Sequence, residues 1–297
     1  MRVLVALIAA SGCGRIGFTP SEDAPIPDAR DVDAVQMPDT PGCTTYGPWQ
    51  TPMKLPGVVN LDASTEWAPT VSADELTLLY ASDQGADFNI YMATRATIAD
   101  PFGAPVEQTN LSSPSIDSDP TMTPDGLTLY FTSDRLGPPP NLFRAKRANT
   151  STNWDPPVLV PELSAESVFG PGLSPDGSEL FYNDGTYLVR ATVNGDQITL
   201  VGQVLELGMD VGFASLTPDG LRIFFEKSIT AQSDNDIYTA TRPAIGQPFD
   251  PPTLVTELQT PGLDDDPDLA RSQTRLYFAS DRGGTSEDIY VVDRACQ

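Results

Sequence analysis

The stretch TPDGLTLYFTSDR, Thr123 to Arg135, decides the fold. Its opening is turn chemistry: proline fixes φ at the second turn position, and Gly126 accepts the left-handed exit that a side chain resists. The residues after the turn alternate, with Leu127, Leu129 and Phe131 on one face and Thr128, Tyr130 and Thr132 on the other. That pattern describes a strand with both faces covered. The same phrase recurs as VSADELTLLYASD from Val71, LSPDGSELFYND from Leu173, LTPDGLRIFFEKS from Leu216 and LARSQTRLYFASD from Leu269. Aligned on Tyr80, Phe131, Tyr182, Phe225 and Phe278, the copies step by 51, 51, 43 and 53 residues. A period of that size marks a propeller or another repeat array.

Each copy carries more than one strand. About ten residues on lie NIYMATR from Asn89, NLFRAKR from Asn141, DIYTATR from Asp236 and DIYVVDR from Asp288, with a shortened TYLVRAT in the third copy. A further short strand follows an aromatic residue and prolines in FGAPVEQ, WDPPVLV and FDPPTLV, and a segment such as DSDPTMT leads back into the turn. The 23 glycines and 29 prolines suit many short strands, and no helical apolar period of useful length follows the first residues. The expectation is an all-β fold over 43–297, a five-bladed β-propeller of four-stranded antiparallel blades.

The x-P-D-G, L-x-F-x-S-D-R and D-I-Y-x-x-x-R elements resemble the TolB-type, WD-repeat-like propeller repeat of bacterial envelope proteins. The resemblance covers about Tyr46 to Cys296. Repeats three and four lack the S-D-R element, and the first and fifth turns lack Pro-Asp-Gly. The resemblance implies a propeller that serves as an interaction platform, and a propeller alone defines no activity.

The fifth copy stops at DIYVVDRACQ, before any outermost strand, whereas YGPWQTPMKL from Tyr46 matches the WDPPVLV type. An N-terminal strand completing the last blade would remove both open edges. In the second repeat Arg147 stands seven residues before Trp154, across the link from third to fourth strand. In the closing blade that link is broken, with Arg294-Ala295-Cys296 on one side and Cys43 to Trp49 on the other. A Cys43–Cys296 disulfide is therefore expected, which implies an oxidising compartment; two free thiols are the alternative.

The formal net charge is −24, which excludes a phosphate-backbone partner and gives no polybasic attraction to lipid. With no histidine in the chain, Ser-His-Asp and Cys-His catalysis and His-ligated zinc, copper or iron are excluded. The N-terminus, MRVLVALIAASGC, has one basic residue, a short apolar run and small residues before Cys13. It resembles a bacterial lipoprotein signal over 1–12, with Ala10 where leucine is usual, Cys13 as the lipidated residue, and a membrane anchor as the consequence. A secretory signal cut near Gly12 is the alternative. Residues 13–42 are rich in Pro and Asp and poor in apolar pattern, and read as a disordered tether. Gly14, in place of the aspartate that retains many lipoproteins, points to the outer membrane over the inner.

The segments leading into the innermost strands should gather at one mouth of the channel. They supply Glu66 and Trp67, Asp117 and Asp119, Phe169, Phe213, and Asp264, Asp265 and Asp266. Blades five, one and two are neighbours in a closed ring, so carboxylates should share one sector, with Phe169 and Phe213 opposite. The expected role is a binding or scaffolding module for a cationic envelope protein or peptide, acting as a monomer, with no catalytic residue and no cofactor. Three other readings stay open. The carboxylates could bond backbone amides of neighbouring loops; Asp119 and Asp266 could hold Ca2+; or Glu66, Asp117, Asp119 and Asp266 could serve a carbohydrate-active hydrolase.

Overall fold

The computed structural model describes residues 43, 45–85, 87–228 and 235–297. The signal segment, Cys13 and the tether lie outside the described residues. Five antiparallel sheets follow one another along the chain. Blade 1 is Glu66–Val71, Thr77–Ser82, Asn89–Thr94 and Val106–Glu107. Blade 2 is Asp117–Met122, Thr128–Ser133, Asn141–Lys146 and Val158–Leu159. Blade 3 is Phe169–Leu173, Glu179–Asn183, Leu188–Asn194 and Gln197–Gln203. Blade 4 is Val211–Leu216, Arg222–Ser228, Asn235–Thr241 and Thr253–Leu254. Blade 5 is Asp264–Leu269, Arg275–Ser280 and Asp288–Cys296, finished from the other end of the chain by Tyr46–Trp49 and Met53–Lys54. The fold is a five-bladed β-propeller.

The core is five layers between blades rather than one centre. Leu79 and Ile90 meet Leu129 and Phe131 between blades 1 and 2. Tyr130 and Leu142 meet Tyr182 and Val189 between 2 and 3. Phe181 meets Ile223 and Phe225 between 3 and 4, Phe224 meets Leu276 and Phe278 between 4 and 5, and Tyr277 and Ile289 meet Leu78 and Tyr80 between 5 and 1. Alternation thus sends successive residues of one strand to opposite neighbours. All five repeat-marking aromatics are fully buried, each adding about 2–3 kcal/mol of burial. The Tyr of D-I-Y stacks across the strand pair on that aromatic, with centroids 6.1 Å apart for Tyr80–Tyr91 and 6.2 Å for Phe225–Tyr238.

The turn residues do what their chemistry dictates. Gly126 N–H closes the turn on Thr123 O at 2.8 Å, and Asp125 Oδ1 accepts from Thr123 Oγ1 at 2.6 Å and from Leu127 N at 2.9 Å. Gly126, Gly177 and Gly220 have φ of +67°, +72° and +66°. Where Pro-Asp-Gly is missing the turn persists, with Glu75 and Gln273 in the glycine position at +57° and +58°.

A second device holds the turns of blades 1, 2, 4 and 5 to the outer half of the blade. Arg95, Arg147, Arg242 and Arg294 donate Nε to the carbonyls of Glu75, Gly126, Gly220 and Gln273 at 2.6–2.7 Å. Their guanidiniums lie over Phe102, Trp154, Phe249 and Trp49 at 4.3, 4.2, 4.9 and 4.2 Å. The last of these joins the two ends of the chain, Trp49 facing Arg294 in the ladder as Tyr46 faces Cys296. Cys43 and Cys296 are bonded, with Cα atoms 5.4 Å apart.

Blade 3 has no such clamp. Its third and fourth strands meet in a hairpin closed by Asn194 and Gln197, with Gly195 at φ +60°. This missing loop explains the 43-residue step.

Candidate functional site

The five innermost strands share one bend. Near the start of each the ladder register shifts, and Ala68, Asp119, Gly170, Phe213 and Asp266 have φ between +44° and +53°. Four of these are not glycine, so the bulge is imposed by ring packing against local preference. The bend organises the channel into three five-membered rings. The outermost is Trp67, Ser118, Phe169, Gly212 and Asp265; the next is the bulge ring itself; the deepest is Thr70, Thr121, Gly172, Ser215 and Asp268.

Channel side chains staple neighbouring blades. Ala68 N donates to Asp266 Oδ2 at 2.8 Å, Gly170 N to Asp119 Oδ2 at 3.1 Å, and Asp266 N to Glu226 Oε2 at 3.2 Å. One ring deeper, Val71 N donates to Asp268 Oδ2 at 2.8 Å, Leu269 N to Ser215 Oγ at 2.9 Å, and Leu173 N to Thr121 Oγ1 at 3.3 Å. Gly172 marks the closest approach: a Cβ there would fall 1.9 Å from Ala214 O.

The residues singled out from sequence divide into two sets. Glu66, Asp117 and Asp264, the first residues of their strands, are fully buried inside the blades. Arg135 pairs with Asp117 and Arg282 with Asp264, each Arg also donating Nε to its own Ser133 or Ser280 at 2.8 and 2.9 Å. Glu66 accepts instead from Ser82 Oγ at 3.1 Å and Leu61 N at 3.2 Å. The arginines of S-D-R therefore pair with the inner strand rather than with their own aspartates. Asp83, Asp134 and Asp281 accept from Thr65, Ile116 and Leu263 N at 2.8–2.9 Å. Trp67, Asp119, Phe169, Phe213, Asp265 and Asp266 do reach the channel rings.

Sequence reasoning missed three further carboxyls. Glu226 stands where the other blades place Ala81, Thr132, Asn183 and Ala279, and reaches the bulge ring past Gly212, where a Cβ would lie 2.8 Å from its Oε1. Asp268 and Glu287 complete the group. The signal was a carboxylate in columns of the repeat that otherwise hold uncharged residues.

The electrostatics are lopsided. Burial, then the Asp265 charge, holds Glu226 well above the ordinary carboxylate range; burial, then Glu226, does the same to Asp266. Burial and Glu287 push Asp265 up to about 7, burial pushes Asp268 up to about 7, and Asp119 and Glu287 are raised by burial as well. Among the described residues no ion pair joins Asp119, Glu226, Asp265 or Asp266. Asp119 Oδ1 and Asp265 Oδ1 are buried without a hydrogen-bond partner. Also among the described residues, no three His, Cys, Asp or Glu side chains are grouped so as to hold a metal ion.

The aromatic half bridges the ring. Trp67 of blade 1 and Phe213 of blade 4, which are not neighbours, have centroids 6.5 Å apart, and Phe88 lies 5.5 Å from Trp67. Phe213 covers Gly170, whose Cβ would lie 2.8 Å from the ring. Beneath lies a cavity of about 40 Å³ walled by Asp119, Asp266, Asp268 and the strand prolines, and one of about 80 Å³ opens towards the turn face. Those volumes take a few water molecules each. Pockets for organic ligands are typically about 300–1,000 Å³.

No family model and no curated protein matches the chain. Solved structures do. TolB from Acinetobacter baumannii superposes at TM-score 0.51 with 16% identity, over 80% of this chain and 56% of that one, so the chain spans little more than half of that TolB. An α-L-arabinofuranosidase from Podospora anserina gives 0.56 with 14% identity over 84% and 97%. The catalytic domain of a GH62 α-L-arabinofuranosidase from Coprinopsis cinerea gives 0.55 with 11% identity over 85% and 99%. At these identities the likeness is one of fold: the chain carries a TolB-like five-bladed propeller, and the fold alone defines no activity.

Proposed function

We propose that this propeller is a binding module of the bacterial cell envelope that engages a cationic segment of a partner protein at the channel mouth. The observation that carries the reading is the uncompensated acid sector: Asp119, Glu226, Asp265 and Asp266, joined by no ion pair among the described residues, with raised affinity for protons. A lysine or arginine brought there supplies the missing charge, and Trp67, Phe88 and Phe213 offer ring faces that attract a cation by about 0.5–2 kcal/mol. The lipoprotein-like start at Cys13 and the Cys43–Cys296 bond support an envelope location, with Cys13 as the lipid anchor and the outer membrane as its place.

The hydrolase reading has less support. Glu66, Asp117 and Asp264 are spent on bonds within their blades, Asp119 and Asp266 each accept an amide of the next blade, and the cavities are far smaller than a sugar site. Calorimetry with a Lys/Arg-rich decapeptide and its Glu-substituted counterpart tests the proposal. Binding of the cationic peptide alone, weakened at least tenfold in Asp265→Asn, is expected. Equal affinity of wild type and Asp265→Asn, or turnover of arabino-oligosaccharides by the protein, would overturn it.

A further inference from the structure

The rim of blade 3 departs from the other four. The outermost strands Val106–Glu107, Val158–Leu159 and Thr253–Leu254 are two residues long and each follows a proline, and the blade 5 edge is split into Tyr46–Trp49, which contains Pro48, and the two-residue Met53–Lys54 after Pro52. Short length and proline are ordinary protections of a sheet edge against pairing with another chain. Blade 3 instead ends in Gln197–Gln203, QITLVGQ, seven residues without charge or proline and rich in β-branched side chains. It is the free edge of its sheet, and Leu200 and Val201 are 50% and 53% exposed.

The register says which backbone groups are free. Val193 N donates to Ser178 O, so Val189, Ala191 and Val193 direct their backbone groups to the second strand, and Arg190, Thr192 and Asn194 direct theirs to the fourth. Their partners Gln197 and Thr199 therefore point inwards. Ile198 and Leu200, lying between, direct N–H and C=O outwards.

We propose that this edge docks an extended, cationic segment of a partner protein as a fifth strand, paired through Ile198 and Leu200. Main-chain bonds would supply affinity, and apolar residues at alternate positions of the segment would share one face with Ile198 and Leu200 and cover the exposed Leu200. Charge selects the occupant. A second copy would set one net charge of −24 against another, whereas a lysine- or arginine-bearing segment is drawn to it. The edge lies on the outer rim, away from the channel rings, and the proposal stands independently of the mouth.

The test is fluorescence anisotropy with the labelled peptide acetyl-KVKVTVKVK-amide and its glutamate counterpart. Leu200→Pro removes the outward N–H while leaving the inward ladder bonds, and Leu200→Lys is the second variant should proline disturb the strand. The expected result is binding of the cationic peptide, at least tenfold weaker for both variants, with slowed amide exchange at Ile198 and Leu200 on peptide addition and no change in Asp265→Asn. No binding at 1 mM peptide, equal affinity for wild type and both variants, or loss in Asp265→Asn in their place would overturn the proposal. So would a concentration-dependent dimer in sedimentation that disappears in Leu200→Pro, which would assign the edge to a second copy.

Discussion

Gln273 holds a conformation that glycine holds in three other blades. Its φ of +58° costs a side chain about 1 kcal/mol or more relative to glycine, and its contribution to the arginine clamp is the carbonyl, which glycine retains. Gln273→Gly should therefore stabilise the protein by up to about 1 kcal/mol, read as a rise in urea midpoint at unchanged m-value. Glu75 has the same strain but should not gain, because its carboxylate links blades, accepting from Ser272 Oγ at 2.9 Å and lying 3.5–3.6 Å from Arg275 and Arg95. The clamp itself is a matter of planar geometry. Arg147→Ala should cost about 2–3 kcal/mol, and Arg147→Lys should recover little, since lysine cannot both reach Gly126 O and stack on Trp154.

Among the elements, the innermost strands carry both the ring and its electrostatic strain. Their raised carboxyls bind protons more tightly folded than unfolded, where Asp and Glu titrate near about 4. Stability is then greatest below that value and falls as pH rises to about 7, where Asp265 and Asp268 lose their protons. The melting temperature should accordingly be lower at pH 8 than at pH 5. Glu226→Gln keeps an acceptor for Asp266 N and adds no charge, so it should flatten that slope and raise the pH 8 melting temperature; an unchanged slope would show that the group does not control it. Legibility in sequence also divides at this scale. The turn and strand columns could be read because proline, glycine and alternation act within a few residues of themselves. Asp117 and Asp264 recur in register with Arg135 and Arg282, which marks them as repeat architecture once the columns are aligned. Glu226 could not be placed at the bulge ring, because nothing local tells a second-strand side chain which inner strand it will meet. The positive-φ bulges at Ala68, Asp119, Phe213 and Asp266 were equally hidden, since none of these residues is the glycine that announces a left-handed backbone.

Across the whole molecule, five interblade layers make a ring whose weak point is its seam. There the first strands of the propeller pair with the last, Thr45 Oγ1 donates to Gln297 O at 2.8 Å, and a disulfide spans 253 residues. Cross-linking a loop that long removes unfolded-state entropy worth up to about 5 kcal/mol. Cys43→Ser with Cys296→Ser should therefore lower the melting temperature by roughly 10 °C, and reductant should reproduce the shift in wild type but not in the double variant.

The clasp between Tyr46–Trp49 and Asp288–Cys296 has a bearing on how the chain is made. The fifth blade is complete only when Asp288–Cys296 is available to pair with Tyr46–Trp49, so the ring can close only after all five blades have been made. Joining Cys43 to Cys296 then becomes the step that turns an open array of blades into a covalently closed ring.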